Sequence, residues 1–177
     1  MAGADHLNII ERKLIDNLRT GTFNIVGGTD TAWSSSDITV FGQFPTTDEV
    51  KYPCIVTQMG ANGIEEQFME QKLTYGSSNT EAVGELYGVA FDIQIAVDRA
   101  STITVSGAPY KERRLLNYLM INCANVIMDC DFIGSEAATD TEVVQRIFSG
   151  FQDVGYNPEL ELWAAMATMV IVFKNER

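Results

Sequence analysis

Histidine is almost missing from this chain: His6 stands alone among 177 residues. No Ser or Cys arrangement can recruit an imidazole elsewhere, which excludes His-based nucleophilic catalysis of the triad type. His6 falls in the first turn of a terminal helix and reads as a surface residue. Cations are scarce as well. Twelve Lys and Arg stand against 24 Asp and Glu, giving a formal net charge of −12. A tight nucleic-acid reader needs the opposite sign. An acidic surface suits a passage that repels phosphates and lets a strand slide. The three cysteines, Cys54, Cys123 and Cys130, are odd in number, sit in apolar surroundings and lack metal-ligand spacing, so they read as free buried thiols. Asp129 and Asp131 bracket Cys130 without the companion cluster that a metal would need. Gly27-Gly28 lacks the Lys-Ser/Thr of a P-loop, and no GxGxxG opens a helix. Met1 to Asn8 has neither a basic nor an apolar leader region, so a cytoplasmic origin is expected. The longest apolar run, Leu162 to Phe173, is about half the length of a membrane-spanning helix. No catalytic residue, metal or cofactor is expected.

What is present is a strong core pattern. Hydrophobic residues make up 46% of the chain and aromatics 10%, with only 4 prolines, as expected for a single domain over residues 1–177 with one sizeable core. Leu7, Ile10, Leu14, Ile15 and Leu18 recur at helical spacing behind Asp5, and Gly21 follows where a helix stops. This predicts a helix over about residues 5–20. Thr22 to Ser36 has no period and reads as a loop. Short strands are predicted at Asp37 to Gly42 and Pro53 to Met59, and a further strand with a polar face from Ile64 to Tyr75.

The clearest alternation runs from Glu85 to Asp98. Tyr87, Val89, Phe91, Ile93, Ile95 and Val97 point one way, and this is the expected central strand. Its apolar face requires a cover. Leu115, Leu116, Leu119, Met120, Cys123, Val126 and Ile127 supply one on a helix predicted over about 109–129, with Pro109 in its first turn. Two closing strands follow, Glu142 to Phe151 and Glu161 to Phe173, joined by a loop rich in turn residues. The expected fold is therefore α+β: a mostly antiparallel sheet with two helices packed on one face, and long polar loops.

Candidate functional residues are surface features. Glu65, Glu66 and Glu70 form the densest acidic patch of the extended region; their plain reading is a solvated face. Trp33 lies in a polar loop, where a large aromatic either caps a core or docks on a partner chain. Phe44 occupies the next long loop. Arg113 and Arg114, with Lys111, lie near a helix N-terminus, where the macrodipole disfavours them, so they are either solvated or paired with acids of a neighbouring subunit. A strong core without a catalytic constellation suits a subunit of an assembly.

The order of features, YPCIVTQM (Tyr52 to Met59), GELYGVAFDIQIAVD (Gly84 to Asp98), YKERRLLNYLMINCANVIMD (Tyr110 to Asp129) and two closing strands, resembles the tail-terminator, or tail-completion, proteins of long-tailed bacteriophages. The resemblance covers nearly the whole chain as an ordered pattern. It implies a structural virion protein of the tail or neck, assembled in the host cytoplasm. Such a protein forms a homo-oligomeric ring, usually a hexamer, that caps the tail tube, stops its polymerisation and joins it to the head-tail connector or neck protein. A sheath is a further neighbour where the tail has one, and no membrane is involved. DNA passes through the ring without specific binding. On that basis Glu65, Glu66 and Glu70 are candidates for the acidic lumen, and Trp33, Phe44, Arg113 and Arg114 for subunit contacts. The rival expectations are another neck or tail-tube subunit, and a small acidic ligand-binding domain or enzyme using Tyr87, Tyr110 or Tyr156.

Overall fold

The computed structural model describes residues 3–23, 31–33, 37–43, 45–46, 50–75, 80–105, 107–132 and 141–176. The chain opens with helix α1 (Gly3–Arg19). Ile10, Leu14 and Leu18 form its buried stripe, as the 3.6-residue period requires. Behind it, β1 (Thr22–Phe23) and β2 (Thr31–Ala32) pair antiparallel where a loop without strands is expected. The pairing brings Trp33 back beneath the end of α1.

The main sheet is built from β3 (Thr39–Phe41), β4 (Cys54–Tyr75), β5 (Thr80–Asp98), β8 (Thr141–Phe148), β9 (Gln152–Asn157) and β10 (Leu162–Glu176). Its order is β3-β4-β5-β10-β8, with β9 also on β10. Only β3 and β4 run parallel; every other pairing is antiparallel. β5 is thus the middle strand. Val89, Phe91, Ile93, Ile95 and Val97 are all 0% exposed on one face, while Ala90, Asp92, Gln94 and Ala96 on the other are half-buried.

The cover is helix α2 (Glu112–Asp129), whose Leu115, Leu116, Leu119, Cys123 and Ile127 are buried against β5 and β10. α1 packs beside it on the same side and reaches β3. One hydrophobic cluster joins both helices to the sheet. The α+β architecture with two helices on one face is therefore as the sequence predicts. Fully burying each large side chain of this cluster is worth about 1.5–3 kcal/mol.

Three expected boundaries are corrected. β4 is one strand, not two: the glycines at 60 and 63 produce a register shift against β5 between Met59 and Ile64 rather than a turn. Pro109 is not in α2. It belongs to a hairpin of β6 (Thr102–Val105) and β7 (Ala108–Lys111), which Gly107 closes at φ +80, a conformation that glycine adopts without a Cβ penalty. Buried Ile103 and Val105 alternate with exposed Thr102 and Thr104 in β6.

The third correction concerns the sheet's outer margin, where residues 152–157 form β9 rather than a loop. β8 and β9 run end to end along β10, interrupted around Ser149, whose N–H donates to the Thr168 carbonyl at 3.0 Å. Each has one register shift that leaves a residue, Val144 or Val154, opposite no β10 partner, which is a β-bulge. Gly150 at φ +74 makes the break between the two strands.

Candidate functional site

Trp33 is 3% exposed, and its indole Nε1–H donates to the Leu18 carbonyl at 2.6 Å. Helix ends leave carbonyls without intrahelical donors, and this bond satisfies one in the last turn of α1. A Cβ on Gly21 would lie inside the indole ring, so glycine there makes room for the tryptophan. Of the two expected roles, Trp33 therefore has the core-capping one. As a subunit-contact residue it is corrected, because its ring is already spent inside its own chain. Phe44 lies outside the described residues.

Arg113 and Arg114 are exposed at the start of α2, as expected, but both have partners in their own chain. The Arg113 guanidinium meets Asp153 of β9 at 3.0 Å, so a neighbouring strand supplies the negative charge that offsets the helix dipole. The Arg114 guanidinium lies 4.6 Å from the Tyr110 ring centroid, a cation–π contact. Arg146 of β8 does the converse job, unforeseen in the sequence. It donates to the Met128 carbonyl at 3.2 Å near the C-terminal end of α2 and lies over the Phe132 ring, where a cation complements the dipole.

The backbone of Glu65 and Glu66 is paired in β4 opposite Gly88 and Tyr87, and Glu70 falls in an irregular stretch between Phe68 and Gln71. The side chains of these three glutamates lie outside the described residues, as does that of His6.

Two shallow grooves share the β9–β10 turn. One, of about 470 Å³, runs along the hairpin from Val154 to Ala164. The other, of about 340 Å³, is bounded by Tyr52, Asp98, Arg99 and Glu161. In the second, Arg99 and Glu161 form a 3.9 Å ion pair with both side chains mostly in water, so the pair adds little stability. Burial, then Cys54 and Asp98, raise the Tyr52 phenol above its usual range. Asp98 is engaged by the backbone N–H and hydroxyl of Ser101, closing the turn into β6. No nucleophile and base converge in either groove among the residues that line them.

The thiols are structural. Burial pushes Cys54 up to about 11, only partly opposed by the backbone hydrogen bond from Ala96. Burial pushes Cys130 up to about 12 and Cys123 higher still. Cys130 also donates to the Lys13 carbonyl at 3.8 Å, linking the end of α2 to α1. Raised thiol values mean that above about pH 9 the unfolded chain releases protons that the native chain keeps. Stability from these groups is therefore constant below pH 9 and declines as pH rises toward 11–12. Native protein at pH 8 is expected to react with a thiol reagent at none of the three positions, and unfolded protein at all three; fast native labelling contradicts their burial.

The largest surface signal lies elsewhere. Val144, Ile147, Val154, Tyr156, Leu160 and Met166, on β8, β9, β10 and the turn between the last two, are all at least 40% exposed. Ile121 and Met128 are exposed on α2. The sequence carries one legible sign of this, Leu160 in the turn NPEL, where a polar residue would serve the fold equally well. Among the described residues there is no group of three or more His, Cys, Asp or Glu able to hold a metal ion, and no helix long and apolar enough to cross a membrane.

The fold and surface together define a class: an α+β chain whose candidate site is a set of exposed apolar margins rather than a cleft. No protein-family model matches this chain, and no curated protein is detectably similar to it.

Proposed function

We propose that this chain is a structural virion subunit that works through contacts with copies of itself, forming a tail-terminator ring at the end of a phage tail tube. The ring, a hexamer in the family it resembles, caps the tube, ends its polymerisation and offers a surface to the neck. DNA crosses its lumen without being held.

The observation that carries the reading is the apolar margin on β8, β9 and β10. Monomeric proteins rarely leave large apolar surface uncovered unless a partner covers it, and six large side chains on β8, β9, β10 and the turn between the last two are each at least 40% exposed here. The net charge of −12 supports the second half of the reading. Charge acts on a passing phosphate only within about 8 Å at physiological salt, which places the demand on lumen-facing carboxylates such as Glu65, Glu66 and Glu70. Native mass spectrometry of the purified chain tests the proposal. A discrete species near six times 19.5 kDa is the expected result. Open-ended tubes would instead indicate a tube subunit, and a single-subunit mass at all concentrations would reject self-assembly.

A further inference from the structure

The three most exposed large apolar residues among those described are Leu160 at 65%, and Val154 and Ile121 at 63%. Two belong to the β9–β10 hairpin and one to α2. The hairpin holds its shape without a partner. Asn157 Oδ1 accepts from the backbone N–H groups of Glu159 and Leu160 at 2.9 and 3.2 Å. Asp153 Oδ1 accepts from Gly155 N–H at 2.8 Å. Tyr156 and Trp163 lie with ring centroids 4.8 Å apart across the pair. A tip fixed in this way loses little conformational entropy when it docks. Leu160 contributes almost nothing to its own fold from that position.

The outer face of α2 offers the complement. Arg114, Asn117 and Ile121 are exposed at i, i+3 and i+7, with Met128 a further seven residues on, so they line one side of the helix. The face is basic at Arg114 and carries exposed Ile121 and Met128, with the exposed amides of Asn117 and Asn125 among them. Charge selects this face for the hairpin. Two copies of a chain at −12 repel each other in general, so contact is favoured where the few cations lie. Of the basic cluster Lys111, Arg113 and Arg114, Arg113 is held by Asp153 of its own chain, so Arg114 is the cation that this helix face presents, while the hairpin tip carries Glu159 beside Leu160.

We infer that the β9–β10 hairpin tip of one copy docks on the outer face of α2 of a second copy, with Leu160 against Ile121 and Glu159 against Arg114. The inference rests on the self-assembly proposed above and names the contact that produces it. The two patches are different surfaces, so the contact is head-to-tail and repeats around a closed ring when its rotation divides the circle.

The test uses the full chain. Leu160→Asp and Ile121→Asp, both at exposed positions, are expected to keep the circular dichroism spectrum of the folded chain while weakening assembly at least about tenfold in native mass spectrometry. Glu159→Arg and Arg114→Glu should each weaken it, and the double exchange should restore it. A mixture of Leu160→Cys and Ile121→Cys proteins should form a disulfide dimer under mild oxidation, since the three native thiols are buried. If the wild type assembles but Leu160→Asp and the charge exchange leave its mass distribution unchanged, the contact is wrong while the ring proposal stands. A wild type that stays a single subunit overturns both.

Discussion

Trp33→Ala is expected to lower the unfolding free energy by about 3–5 kcal/mol, the range for truncating a buried large aromatic. The residue fills the space over Gly21 and satisfies the Leu18 carbonyl, so the substitution creates a cavity and also leaves a carbonyl without its donor. Trp33→Phe should recover most of the packing and leave a deficit of about 1 kcal/mol for the missing N–H. Urea denaturation measures both, and an unchanged slope with a lowered midpoint identifies a stability change rather than a change in the unfolded chain. A Trp33→Ala protein as stable as the wild type would mean that the indole does not cap the core.

Phe91→Ala should cost a similar amount, about 3–5 kcal/mol. Phe91 is fully buried in the middle of the central strand, and its cross-strand neighbours are Met59 on β4 and Met169 on β10. Methionine is flexible enough to enter part of the vacated space, which places the expected value near the lower end. Met166→Ala on β10, whose side chain is 41% exposed, is the matching control, expected to change stability by less than about 0.5 kcal/mol in the folded monomer. Equal losses at the two positions would contradict the assignment of sheet faces.

The elements that were legible in the sequence are those with an uninterrupted period. Alternation over six apolar positions identifies β5, and the Leu115-to-Ile127 spacing identifies α2, because each pattern is written by burial on a single face. The missed elements share a different cause. Pro109 suits both the first turn of a helix and the end of a short strand, and only the pairing of β7 with β6 decides between them. Gly155, Asn157 and Pro158 look like a loop, yet residues 152–157 pair with β10 because an outer strand tolerates residues that a central strand excludes.

The site was less legible than the fold. Trp33 has the same local sequence whether it caps a core or meets a partner; the proximity of Leu18 and Gly21, twelve or more positions back, makes it a core residue. Arg113 is likewise defined by Asp153, forty residues away. Arg146 gives no sign in the sequence that it reaches the end of α2. Exposure of Val144, Val154 and Leu160 depends on which strands border the sheet, and that order is a tertiary property.

The two extra residues and the glycine break along the strands flanking β10 have a consequence for growth. A straight, unbroken border would present a regular row of amide groups, a template onto which molecule after molecule could add by sheet extension into a fibre. Here the row changes phase at Val144, again around Gly150 and again at Val154, so an incoming straight strand can stay in step for only a few residues. Accretion of that kind halts early.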